Sequence, residues 1–170
     1  MIVAAAKNRA IGQHGRIPWR LRDDLIRLKQ LTLGQVVILG RKSYDSMVGY
    51  YKASGRPMPG KLYIVVTRNP DYTPDRDADK AVGSVDMALK LARQFGEEVF
   101  VIGGGEIFKS CLPFTQKIYY TEVDFRVDQP DAFFPELDIN QWREISREHH
   151  QKDDRNEFDF DFVVYQRVDT

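Results

Sequence analysis

The chain has 170 residues, long enough for one domain with a sizeable core and short of two full ones. Lysine plus arginine (25) equals aspartate plus glutamate (25), so the formal charge is zero and the positive excess behind general nucleic-acid or anionic-membrane binding is missing. Cys111 is the only cysteine, which excludes an intrachain disulfide and fits a reducing cytoplasm, and no paired Cys/His spacing suggests zinc.

The first apolar run, Ile2–Ala6, reads as a strand. It is too short for a signal-peptide core and follows no basic segment. No apolar run approaches the roughly 20 residues of a membrane span. Next comes Ile11–Trp19, IGQHGRIPW, punctuated by glycines and ending in an aromatic residue, the composition of a candidate lid. His14 within it is either an acid or base, or an exposed loop histidine.

The segment Ile17–Thr32 carries the most informative feature. Leu21, Asp24, Leu25, Leu28 and Leu31 recur at helical spacing, which predicts a helix over Arg22–Leu31 with a carboxylate on its apolar face. A charge on that face is costly unless a protein group or a ligand satisfies it. Val36–Leu39 reads as a second strand, Gly40 as a turn, and Arg41–Val48 as a helix. Arg41, Lys42 and Ser43 then stand at a helix N-terminus, where they either hold a phosphate or are simply solvated charges.

Gly49–Gly60 and Arg68–Ala78 read as surface loops, and Leu62–Val66 between them as a strand ending in Thr67 and Arg68. Val85–Phe95 carries an apolar stripe behind Ser84, a residue suited to capping. Val99–Ile102 runs into three glycines, Gly103, Gly104 and Gly105, and then a helix over Glu106–Leu112. The glycines either admit a ligand to the backbone or only serve a loop with unusual dihedrals. Ile118–Val123 and Phe158–Val164 read as strands of an antiparallel C-terminal edge, and His149 and His150 as surface residues.

Strands alternating with helices predict an α/β fold with a mainly parallel sheet. Ligands bind such sheets at the carboxyl ends of the strands. Basic residues at two of those ends suggest a phosphate-bearing cofactor, and Arg68 suits a 2′-phosphate, favouring NADPH over NADH. None of this names a substrate.

The segments IVAAAKNRAIG, IPWRLRDDL, VVILGRKSYDSM, GRPMPG, IVVTRN, VIGGGEIF, YYTEVD and FFP occur in the order found in dihydrofolate reductases. The chain therefore resembles that family from Ile2 to about Pro135, and its strand-rich tail also fits. The resemblance implies a single domain over residues 1–170, with an eight-stranded, mostly parallel sheet, an antiparallel C-terminal edge and four flanking helices. It implies a cytoplasmic enzyme of one-carbon metabolism that reduces 7,8-dihydrofolate to tetrahydrofolate with NADPH, is inhibited by antifolates, and works as a monomer without metal, nucleic acid or membrane.

By the same resemblance, Asp24, five residues beyond Trp19, is the single acidic residue of the active site. It would bind the pterin's amidine-like edge and favour protonation of the ring nitrogen beside the carbon that accepts hydride, the proton itself arriving through water. Asp23 competes for that role but should face solvent. Thr121 would hydrogen-bond the carboxylate and a pterin amino group. Ile17 and Trp19 would complete the catalytic set. Ile2, Val3, Ala4, Leu25, Leu28, Met47 and Ile102 would line the pterin and aminobenzoyl pocket. Ala4, Ile11, Gly12, Trp19, Gly40, Arg41, Lys42, Ser43, Thr67, Arg68 and Ile102, with Gly103, Gly104, Gly105, Glu106, Ile107 and Phe108, would contact NADPH. Gly12–Trp19 would be the flexible active-site loop, closed with the help of Asp131 so that the reacting carbons approach to roughly 3–3.5 Å. The Gly103–Gly104 peptide is expected to be cis.

Four departures from the family pattern stand out. Lys61 replaces an arginine that holds the substrate's glutamate carboxylate, and a lysine offers a point charge where arginine offers a fork, so Arg56 could substitute. Val48–Ser54 includes an insertion. Phe108 replaces a common tyrosine, and Arg22 a common proline. Two other readings compete: a pyrimidine or pterin reductase on the same fold, opposed by IPWRLRDDL and Thr121, and a silent binding paralogue, opposed by the presence of Asp24.

Overall fold

Ten strands and four α-helices form among residues 1–168, the part of the chain that the computed structural model describes. In chain order they are β1 (Ile2–Ala6), β2 (Ala10–Gly12), α1 (Arg22–Thr32), β3 (Val36–Gly40), α2 (Arg41–Ser54), β4 (Leu62–Val66), β5 (Lys80–Val82), α3 (Val85–Ala92), β6 (Val99–Val101), α4 (Gly105–Cys111), β7 (Lys117–Val123), β8 (Ala132–Phe133), β9 (Trp142–His150) and β10 (Phe160–Arg167). The residues group into two compact units, one of residues 1–27 with those from 112 onward, the other Leu28–Cys111.

In the second unit, β3 is central to a parallel sheet ordered β5-β4-β3-β6. Val36, Val37, Ile38 and Leu39 are all fully buried, which is why this run shows no alternation: both faces of the strand are covered. Val37, Leu39, Tyr44, Tyr63 and Val65 form its core, with Met47 and Ile102 packed on it. The buried carboxylate of Asp79 staples the loop after β4 to this core. It accepts from the Tyr44 hydroxyl at 2.7 Å and from the Tyr63 backbone N–H at 2.9 Å. Ser84 caps α3 as its position indicated, accepting from the Met87 N–H at 3.2 Å.

In the first unit, the sheet order is β1-β7-β10-β9, with β1 parallel to β7 and the remaining pairs antiparallel. The change to antiparallel pairing falls after Lys117, where the sequence suggested it. Leu21, Val123 and Phe160 form one buried cluster, and Ala6, Ala10 and Val127 another.

Several expectations are corrected. The strands divide among two four-stranded sheets and a two-stranded β2–β8 ribbon, where one eight-stranded sheet was expected. An apolar run reveals a strand but not which of its edges is paired. β9 escaped notice because seven of its inner positions are exposed and polar or isolated apolar residues, the pattern of a charged edge strand. The expected loop from Gly49 is helical as far as Ser54, because the inserted residues continue α2 until Gly55, at φ 64, stops it in the left-handed region. The last strand starts and ends later than Phe158–Val164, and α3 stops at Ala92.

Candidate active site

Asp24 stands in the first turn of α1, where a carboxylate also complements the helix dipole. Thr121, buried in β7, donates its hydroxyl to Asp24 Oδ1 at 2.6 Å. Burial pushes the Asp24 carboxyl above its ordinary range, while the Thr121 hydrogen bond and the nearby Arg27 guanidinium draw it down. The expected apolar face is only partly covered. Leu21 is buried just ahead of the helix, Leu28 and Leu31 are half-buried, and Leu25 is 41% exposed.

Asp23 does not simply face solvent as expected. Its N–H donates to Asn156 Oδ1 at 3.1 Å, its Oδ2 accepts from Asn156 Nδ2 at 3.0 Å, and Arg155 pairs with it at 3.2 Å. With Asp23 committed to protein partners, Asp24 is the carboxylate left to meet a ligand. In β1, Ile2 and Val3 are buried and Ala4 is half-buried, in register with Thr121 on the neighbouring strand. Ala4, Thr121 and Asp24 thus belong to one locality.

The segment between β2 and α1 is tethered at both ends. The His14 N–H donates to Asp131 Oδ2 at 2.7 Å, and the Asp131 N–H donates to the Gly12 carbonyl at 3.2 Å. Beyond it, the Arg20 N–H donates to Glu157 Oε2 at 3.0 Å, and Glu157 N–H donates to the Arg20 carbonyl at 3.0 Å. His14 engages Asp131 through its backbone and its side chain is exposed, so it is a loop histidine here. Ile11 and Trp19 are half-buried, Gly12 is buried, and Ile17 is 61% exposed. Trp19 packs on both buried clusters of this unit.

The second unit holds the glycine-rich residues. Gly40 caps α2 without a side chain, leaving its first-turn N–H groups with Arg41, Lys42 and Ser43 beside them. A Cβ on Gly40 would lie 3.3 Å from Ile107 Cγ1 and 3.8 Å from the Gly104 nitrogen, and one on Gly104 would lie 3.7 Å from Ser43 Oγ. The two glycine segments therefore adjoin, and a side chain at Gly40 would press on Ile107. The Gly103–Gly104 peptide is cis, as expected, and the buried Phe108 ring packs on Gly103. Gly105 and Ile107 are half-buried and Glu106 exposed. Thr67 is half-buried and Arg68 exposed at the end of β4. This donor set, a helix N-terminus with two cations and a hydroxyl, fits a phosphate-bearing dinucleotide.

Lys61 donates its ammonium to the Phe95 carbonyl at 2.7 Å, and Arg56 is exposed past the end of α2. Two features had no signal in the helical pattern. Arg27 is one turn beyond Asp24 on the same helix, but its seat against Phe162, Tyr119 and the Tyr120 carbonyl is invisible to a helical period. Asn156 is buried by the turn it makes with Asp153, whose Oδ1 accepts from the Asn156 N–H at 2.8 Å and from its Nδ2 at 2.9 Å. The Asp153–Asn156 spacing is an Asx-turn signal that a reading for turns could have found. Among the described residues, no group of three or more His, Cys, Asp or Glu could hold a metal ion, and no helix is long and apolar enough to cross a membrane.

Comparison with known proteins adds to this geometry. A family model described as dihydrofolate reductase matches residues 1–167. A dihydrofolate reductase of Staphylococcus haemolyticus is 36% identical over 168 residues, covering 99% of this chain and 95% of the relative. A dihydrofolate reductase type 3 of Salmonella typhimurium is 35% identical over 167 residues, covering 98% and 96%. The solved structure of a dihydrofolate reductase from Enterococcus faecalis, complexed with NADP(H) and RAB-propyl, superposes with a TM-score of 0.82 at 32% identity, covering 99% of this chain and 95% of that one.

Proposed function

The chain belongs to the dihydrofolate reductase family, and from that premise we propose that it reduces 7,8-dihydrofolate to 5,6,7,8-tetrahydrofolate by hydride transfer from NADPH. The observation that carries the reading is the half-buried Asp24 carboxylate on α1, held by the Thr121 hydroxyl at 2.6 Å. When bound, NADPH supplies the hydride.

The protein's own residues bind, orient and polarise. Asp24 accepts from the amidine-like edge of the pterin and favours protonation of the ring nitrogen next to the hydride-accepting carbon. Thr121 keeps that carboxylate in one orientation and meets a pterin amino group. Ile2, Val3, Ala4, Leu25, Leu28, Met47 and Ile102 provide apolar contacts for the pterin and aminobenzoyl groups. Arg56 takes the glutamate carboxylate, since the Lys61 ammonium is engaged by Phe95. The segment Gly12–Trp19, with Ile17 and Trp19, shields the reaction from water.

For the cofactor, Gly40 with Arg41, Lys42 and Ser43 holds phosphate, as do Thr67 and Arg68 for the 2′-phosphate. Ala4, Ile11, Gly12, Trp19 and Ile102, with the segment Gly103–Phe108, complete the contacts. Antifolates that present a diaminopyrimidine edge bind the same carboxylate. The chain acts as a monomeric, single-domain enzyme of the cytoplasm. The test is NADPH oxidation by the purified chain. It should require dihydrofolate and stop with trimethoprim, and no dihydrofolate-dependent signal at high enzyme concentration overturns the reading.

A further inference from the structure

Arg27 has no role in the reading above, yet its positive charge acts on the Asp24 carboxylate from the same helix. It lies three positions after Asp24, so the two share a face of α1. Its guanidinium lies 4.3 Å from the Phe162 ring centroid on β10 and 5.6 Å from that of Tyr119 on β7. One of its N–H groups donates to the Tyr120 carbonyl at 3.4 Å. Tyr120 immediately precedes Thr121, the residue that holds Asp24.

The side chain is thus anchored by aromatic faces and a backbone carbonyl rather than by a carboxylate contact. A cation held over two rings and by a carbonyl is more pre-organised than a free lysine. Its charge acts on Asp24, and both side chains are only partly exposed. The other charged groups around the pair are few. Asp23 is committed to Asn156 and Arg155. Glu148 on β9 acts on Arg27, and His150, beyond Phe162, stacks on Phe160 and meets Glu148 at 3.0 Å.

We propose that Arg27 is a positioning residue for the reduction of dihydrofolate: held under α1 by Phe162, Tyr119 and the Tyr120 carbonyl, it keeps Asp24 ionised as the partner of the pterin edge. The inference rests on the reading of Asp24 as the pterin-binding group. Burial disfavours the Asp24 carboxylate, Thr121 supplies one compensating hydrogen bond, and Arg27 supplies a compensating positive charge. Arg27 therefore lowers the pH at which the enzyme loses its grip on a protonated pterin or diaminopyrimidine edge.

The experiment follows the Asp24 carboxyl directly in the full chain, by carboxyl carbon NMR of aspartate-labelled protein, with the signal assigned by its loss in Asp24→Asn. Trimethoprim affinity is measured across pH on the same samples. Arg27→Met should raise the Asp24 titration midpoint by about one pH unit and move the acid limb of trimethoprim binding upward by the same amount. Arg27→Lys, which keeps the charge while losing the stacked fork, should hold the midpoint near that of the parent chain. A purely structural role predicts that Met and Lys lower stability alike and leave the midpoint in place, and that result overturns the inference. Phe162→Leu serves where Arg27→Met does not fold: loosening the guanidinium should raise the midpoint in part, and an unmoved midpoint counts equally against the proposal. Dihydrofolate-dependent NADPH oxidation by the parent chain is recorded alongside, so that failure of the underlying enzyme reading is seen separately.

Discussion

Thr121 on β7 and Asp24 on α1, 97 positions apart, are joined by a 2.6 Å hydrogen bond from hydroxyl to carboxylate. That bond ties a helix to the sheet at the point where a ligand would read the carboxylate. Thr121→Val keeps the shape and removes the donor, leaving a desolvated carboxylate with less support. The loss of one charge-assisted bond, about 1.5 kcal/mol, should lower kcat/KM for dihydrofolate by about tenfold. The Asp24 carboxyl should move still further up, so the variant's activity should depend on pH differently from the parent's. Steady-state kinetics across pH checks both outcomes.

Asp24 should also be a site where stability and activity pull apart. Its carboxyl lies above its unfolded value, so the folded state holds the proton more tightly than the unfolded state. Stability from this group is greatest below the unfolded value and falls as pH rises through the folded one. At neutral pH the ionised group therefore weakens the fold. Asp24→Asn should raise the urea midpoint at pH 7 and flatten its dependence on pH, while reducing dihydrofolate reduction sharply. A midpoint that falls at pH 7 contradicts this account.

The loop before α1 is held by the His14 N–H to Asp131 contact at 2.7 Å. Asp131→Ala removes the acceptor, at a cost of about 1 kcal/mol, so the loop should open about fivefold more often. Trypsin should cut after the exposed Arg16 correspondingly faster, and single-turnover hydride transfer should slow. Asp131→Asn, which still offers an acceptor, should restore much of the protection.

The two cations at the expected carboxylate position should separate in a binding experiment. The Lys61 ammonium is bound to the Phe95 carbonyl, whereas Arg56 is exposed. Arg56→Ala should raise KM for dihydrofolate by about tenfold, the effect of about 1.4 kcal/mol, and leave KM for NADPH in place. Lys61→Ala should raise it less and lower the thermal midpoint, because the carbonyl at the end of the α3 segment loses its donor. A larger KM effect at Lys61 than at Arg56 reverses the assignment.

The sequence by itself determined the elements that local chemistry controls. Ile2–Ala6 and Leu62–Val66 are strands to the residue, short apolar runs that each contain β-branched residues and stop at a polar one. Ser84 caps α3, and Asp24 stands out as a charge on an apolar face, since both depend only on neighbours within a turn or two. Tertiary structure decided everything that needs a partner far along the chain. It grouped the strands into separate sheets, because edges find mates through packing rather than through their own residues. It sent Asp23 to Asn156 and left Asp24 to Thr121, although the two carboxylates are adjacent and chemically identical. It also seated Arg27 on Phe162 and Tyr119, a placement that no helical period contains. Spacing along one helix places Asp24 and Arg27 near each other, but only the sheet supplies the Thr121 hydroxyl that holds the carboxylate and the rings and carbonyl that seat the cation.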